Sequence, residues 1–197
     1  MQKQMSYPRA IVVGFCAAAV LFFSTGCNSM PKTTRSAAMV PTSLKIEKQQ
    51  PVSVIVHAIA ECKTIEPYLG GAELSVISFR EALVAAIKES RVFTSVRDQH
   101  PADYSLEVSI VNLQSGHVPL PSHSMIVWDW RITVSARWQL TRMSDRNVVF
   151  NDFVFAGENH SYSSKEDSSS RIALENAARE NIKLGLEKLS ELNLSVP

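Results

Sequence analysis

Cysteine is scarce in this chain, with three among 197 residues. Cys16 lies inside an amino-terminal apolar run and Cys27 lies just behind it. Cys62 then stands alone in the remainder, which excludes a framework of internal disulfides; it reads as a small buried residue. An excess of charge of either sign is missing too. The formal net charge is +1, and the residues after position 26 hold 18 basic and 19 acidic side chains. That balance leaves no footprint for nucleic acid and does not point to a strongly charged substrate. Gly70-Gly71 signals a turn but lacks phosphate-binding spacing. A Gly-x-Ser-x-Gly pattern is absent, so a serine hydrolase has no support. The five histidines (His57, His100, His117, His123 and His160) never fall three or four residues apart, as two zinc ligands on one helix do. His117 and His123 share a segment, but Pro119 and Pro121 separate them. Glu66, Glu73 and Glu81 are not paired by any spacing. The expectation is a non-enzyme without catalytic residues, metal or soluble cofactor.

The amino-terminal apolar run, Ile11–Phe23, has 13 residues, whereas crossing a bilayer takes about 20. Lys3 and Arg9 precede it, and Ser24-Thr25-Gly26-Cys27 follows. This is the layout of a cleaved secretory signal. The ending on Gly26-Cys27 resembles the lipobox of bacterial lipoproteins, although Ser24 stands where a Leu is usual. The resemblance implies cleavage between Gly26 and Cys27, covalent lipid at Cys27 as the only attached group, and anchoring to a membrane. Two acyl chains already anchor stably, at about 0.8 kcal/mol per buried CH₂. Asn28, rather than Asp, follows the cysteine. By the same likeness this implies the periplasmic face of the outer membrane in preference to the inner membrane.

Three sections are expected: a signal peptide over 1–26, a lipidated loose tether over 27–50, and a folded domain over 51–197. The tether carries Pro31, Pro41 and scattered basic residues without an apolar period. Val52–Ala60 is apolar on both faces and reads as a central strand. Ser78-Phe79-Arg80-Glu81 reads as a capping box, opening a helix whose stripe is Phe79, Ala82, Leu83, Ala86 and Ile87. Arg91-Val92-Phe93 starts a link ending at Pro101. Tyr104, Leu106, Val108 and Ile110 alternate with polar residues, and a loop over 115–124 follows. From 126 to 140 every even residue is apolar, Trp128, Trp130 and Trp138 included, and from 129 to 141 every odd one is polar. That is a strand with one buried and one wet face, which antiparallel sheets tolerate. Val148–Ala156 is a further strand whose alternation breaks at Asn151-Asp152. The break suggests a β-bulge that hands the buried side from Val148 and Phe150 to Phe153 and Phe155. A last helix starts near Ser170, with Leu174, Ala178, Ile182, Leu186 and Leu189 as its stripe.

The order β-α-β-β-β-α predicts an α+β fold: a two-layer α/β sandwich, with a four-stranded mixed sheet and two helices on one face. The last three strands should form an antiparallel meander. Several features together resemble the small periplasm-facing lipoproteins of envelope transport and assembly. They are the lipobox, the helix before Val92-Phe93, the opening Ala102-Asp103-Tyr104, the ending Trp138-Gln139-Leu140-Thr141, and Ala177 to Ile182. Lipid-transport auxiliary lipoproteins, the lipopolysaccharide-assembly lipoprotein and the amino-terminal domain of the Tol-system periplasmic protein share this order of elements. The resemblance implies a non-enzymatic accessory factor with an envelope protein partner. The alternative is a carrier or sensor that holds lipid or glycan between helices and sheet. Candidate partner contacts are Val118 and Leu120, stiffened by Pro119 and Pro121, and Arg131 and Arg137 on the polar face of the long strand. The plain alternative for these residues is a strand connection and a solvated face.

Overall fold

The computed structural model describes residues 33–44, 46–60, 72–99, 101–118, 129–161 and 169–196. The signal residues, Gly26, Cys27, Cys62, Leu120 and Trp128 lie outside them. The described elements are α1 (Ser36–Met39), β1 (Gln50–Ala60), α2 (Val76–Ser90), β2 (Phe93–Arg97), β3 (Tyr104–Val118), β4 (Asp129–Arg142), β5 (Val148–Ser161) and α3 (Ser169–Ser190). The strands form one open sheet in the order β2-β1-β3-β4-β5. β1 runs parallel to both of its neighbours, and β3, β4 and β5 form the antiparallel meander. α2 is thus the crossover of a parallel unit.

The α+β class agrees with the sequence, but the strand count rises from four to five. The added strand is β2, expected as part of a link. Its five residues are too few to show a period. Backbone partners identify it: Gln50 N–H donates to Val92 O at 2.7 Å, and Phe93 then pairs with Gln50. α2 also begins earlier than expected. Ser75, not Ser78, is its cap, and the Ser75 hydroxyl accepts from Ser78 N–H at 3.1 Å. The helix ends at Arg91, left-handed at φ 56°, whose N–H returns to Ile87 O.

On β4 the even register is buried wherever its side chains are described, whereas the odd register is wet at Arg131 but buried at Ser135. Ile132, Val134, Ala136, Trp138 and Leu140 are all fully buried. They lie under α3, while α2 packs on β1 and β2; the stripes of α2 and α3 expected from the sequence are buried throughout. β3 runs further than expected, to Val118. It carries an extra residue between Ile110 and Asn112, so Leu113 rather than Asn112 faces the core beyond it.

β5 corrects the sequence reading. Its extra residue lies between Val148 and Phe150, and pairing is regular from Asn151 onward. Val154 and Ala156 are therefore buried, while Phe153 and Phe155 point outward. Asp152 misled the pattern because it holds an inward position on an edge strand. There the ammonium of Lys188, from α3, reaches it. A polar residue can occupy a core-side register when a partner meets it at the rim.

α3 crosses β4 at its closest over Trp138. The indole Nε1–H donates to Asn181 Oδ1 at 3.1 Å. The same amide donates to Val134 O at 3.2 Å and Val154 O at 2.9 Å. A Cβ placed on Gly185 would stand 2.3 Å from the indole ring, so glycine is what lets the helix approach. Gly185→Ala gains about 1 kcal/mol of helix propensity but must displace a buried ring, which costs up to about 3 kcal/mol. A net loss of about 2 kcal/mol in denaturant unfolding is expected. Trp138→Phe leaves the Asn181 oxygen unpaired and should cost about 1–3 kcal/mol. Wild-type stability in both variants would refute this packing.

Candidate functional site

The outer face of the sheet carries two of the sequence-predicted site residues. Arg131 is exposed near the start of β4, and Arg137 is half-buried further along it. Both project from the odd register, with Thr133, Ser135 and Gln139. Arg131 lies over Gly157, where an added Cβ would meet its Nε at 2.6 Å. Arg137 stands opposite Phe153 in the β4–β5 ladder, and Ser135 opposite Phe155. The two rings stack with centroids 6.2 Å apart and planes at 23°. Phe155 is 64% exposed and Phe153 48%. A pair of exposed aromatic rings beside two arginines is the composition that protein interfaces favour. Sequence reasoning missed both rings because it placed them inward. The even register of Val154 and Ala156, both small and opposite β4's buried row, was the available signal.

Val118 does not sit in a loop. It is the last residue of β3 and pairs with Asp129, so the hairpin extends past the expected start of the loop at 115. Val118 and the two arginines share the β3–β4 hairpin. Leu120 lies outside the described residues.

The segment expected to be a loose tether is corrected for residues 33–44 and 46–50. It lies along the helical layer as a strap. Thr33 bridges to Glu73, and Thr34 N–H donates to Glu73 O at 3.0 Å. The Glu175 carboxylate accepts from Arg35 three times: from backbone N–H at 2.9 Å, from Nε at 3.1 Å and from Nη2 at 3.2 Å. It also accepts from Arg171 Nη1 at 2.8 Å. Met39 is fully buried. Arg179 Nε donates to Ala38 O at 2.8 Å, and Lys48 Nζ to Asn193 Oδ1 at 2.9 Å. No apolar period advertises this segment: long-range polar contacts hold it, together with buried Met39 and the irregularly spaced Val40, Leu44 and Ile46 packed against the core.

A shallow groove of ≈ 360 Å³ opens beside β2, between Pro51, Thr94, Arg97, Pro101 and Asp103. Its carboxylate is already committed. Asp103 Oδ2 accepts from Ser53 N–H and from Ser53 Oγ–H, each at 2.7 Å. Those two bonds, backbone first, hold the Asp103 carboxyl below its ordinary value. The group therefore fixes the start of β3 to β1. Among the described residues, no His, Cys, Asp and Glu side chains gather in a set of three that could hold a metal ion, and no helix is long and apolar enough to cross a membrane.

No family model matches the chain, and no curated protein sequence matches it. Solved structures do. A Xanthomonas campestris protein of family DUF330 aligns with TM-score 0.56 and 17% identity, over 76% of this chain and 91% of that one. A neuraminyllactose-binding hemagglutinin homolog from Helicobacter pylori aligns with TM-score 0.51 and 12% identity, over 79% and 93%. A minor lipoprotein from Acinetobacter baumannii aligns more loosely, with TM-score 0.46 and 6% identity, over 70% and 91%. The chain thus has the α+β fold of the first two proteins, and lipoproteins stand among the solved structures it resembles.

Glu175 ties the strap's stability to pH. Burial raises its carboxyl, but the bonds from Arg35 and Arg171 outweigh burial and leave it below the ordinary 4.5. A depressed folded value means the contribution is full above the unfolded value and is lost as pH falls through the folded one. Unfolding stability should therefore decline below about pH 5. Glu175→Gln should flatten part of that decline, with Asp103 and Asp152 keeping the rest. Glu175→Ala leaves the buried Arg171 guanidinium without its carboxylate and should cost about 3–5 kcal/mol at neutral pH. Identical pH profiles for wild type and Glu175→Gln would sink this assignment.

Proposed function

We propose that the protein is a lipid-anchored accessory lipoprotein of the cell envelope, facing the periplasm from the outer membrane, without enzymatic activity. In this reading it is cleaved between Gly26 and Cys27 and lipidated on Cys27. It presents the outer face of its sheet to an envelope protein. The anchor rests on the charged start, the apolar run and the Gly26-Cys27 ending. The presenting face rests on one observation: stacked Phe153 and Phe155, exposed beside Arg131 and Arg137. Exposed aromatics on a rigid sheet lose little entropy on binding and supply much apolar area. The alternative, a ligand held between helices and sheet, has no support where α3 meets β4, because Gly185 lies against the Trp138 ring there.

Cys27→Ser should leave an uncleaved, unlipidated precursor, read by mass spectrometry of the purified protein. A mature amino terminus at another residue, free of lipid, would refute the anchor. Replacing Phe153 and Phe155 together by Ser should shift stability by less than about 1 kcal/mol, since both are exposed. The affinity for the partner recovered with the intact anchored protein should fall by about thirtyfold, the equivalent of about 2 kcal/mol. A control, Lys88→Ser on α2, should bind as wild type. Equal affinities for all three would remove the sheet face from the reading.

A further inference from the structure

The strap decides which end of the domain the membrane anchor leaves from. Along the chain, β1 ends at Ala60, α2 begins at Val76, β3 ends at Val118, β4 begins at Asp129 and α3 begins at Ser169. All of these lie toward one end of the sandwich, where the β3–β4 hairpin runs eight residues past the last β1 pair, Ala60 with Ile110. The other end carries Gln50, the β4–β5 turn with Asp145, and the last turn of α3. Without the strap, the link to the anchor would leave from Gln50, at that second end. It would have 23 residues to reach Cys27, a reach of up to about 80 Å. The docked strap moves the departure point to Thr33, bridged to Glu73 just before α2. Only five residues then separate Thr33 from Cys27, and the six Cα-to-Cα steps span at most about 22 Å.

That first end also exposes aliphatic side chains. Ile77, in the first turn of α2, is 74% exposed. Ile172, in the first turn of α3, is 44% exposed. Exposed isoleucines occur singly on many surfaces, and Val148 and Val196 are exposed at the opposite end. The apolar positions alone therefore do not choose an orientation; the short link does. An apolar side chain brought against a bilayer gains by leaving water, at about 25 cal/mol per Å².

We propose that the docked strap turns the end bearing Ile77 and Ile172 onto the phospholipid surface in which Cys27 is anchored. This rests on the lipidation of Cys27 argued above. The same orientation directs Asp145 and the carboxyl-terminal tail away from that membrane. The strap then acts as an orienting clamp, and Glu175 and Met39 are its seats.

The test uses the full-length lipidated protein, with Cys62→Ser as background, in vesicles of three parts phosphatidylethanolamine to one part phosphatidylglycerol. A spin label is placed singly by Ile77→Cys, Ile172→Cys or Asp145→Cys. Mass spectrometry of each preparation reads lipid on Cys27. Labels at 77 and 172 should lose broadening by a water-soluble nickel chelate and gain it from oxygen; the label at 145 should do neither. A strap-release variant, Arg35→Ala with Met39→Ser and Arg179→Ala, should restore chelate broadening at 77 and 172 while still carrying lipid. A spectrum without lipid overturns the anchor and this proposal together. Lipidated protein with equal chelate access at all three labels overturns the orientation alone, as does protection that persists after strap release.

Discussion

The close approach of α3 to β4 at Trp138 organises the rest. The indole fills the space that a Gly185 side chain would need, and Asn181 joins its N–H to the carbonyls of Val134 and Val154. One buried amide is thus fully satisfied while touching two strands and an aromatic ring. A partly satisfied network there would be worse than an apolar core. Because it is complete, it fixes the rotation of α3 about its own axis. That rotation places Glu175 and Arg179 where the strap needs them, and Lys188 where Asp152 needs it. The exposure of Phe153 and Phe155 follows from the same alignment, since Asp152 and Val154 take the inward positions of β5.

How far the fold was legible in the sequence depends on whether local pattern or distant partner decides each element. The even residues of β4 and the stripe of α3 could be read directly, since both are long enough to average out exceptions. Five residues of β2 carry no such redundancy, and their strand state comes from pairing with β1. The β5 register was misread at a single polar residue, because its ion-pair partner is remote in sequence. The strap was misread for the same reason: Arg35 and Glu175 are 140 positions apart. The candidate site was therefore only half legible. Arg131 and Arg137 followed from β4's alternation, and the aromatic pair beside them did not.

The sheet has two unlike edges. β2 has five residues and is backed by the groove around Asp103 and Arg97. β5 has 14 residues and carries the stacked rings. Short edges protect a sheet from unwanted pairing, and long ones invite it. Asp152 and Lys188 at the rim of β5 partly offset that risk, because a strand laid alongside would have to accommodate their charges. The outer face is thus adhesive in its middle and polar at its border, a pattern shared by specific interfaces.

Gln50 has a kinetic consequence. Its side-chain amide donates to the carbonyls of Leu189, Ser190 and Leu192, and its oxygen accepts from Leu194 N–H. The first residue of the first strand is thus seated by the last turn of the last helix. Contacts so distant in sequence form slowly, because a large loop must close before they repay its entropy. A chain emerging from its amino terminus makes β1 early and completes it late. Until the final residues arrive, that apolar strand lacks its full set of partners. The segment most exposed to mispairing during synthesis is therefore a strand that the finished sheet pairs on both sides.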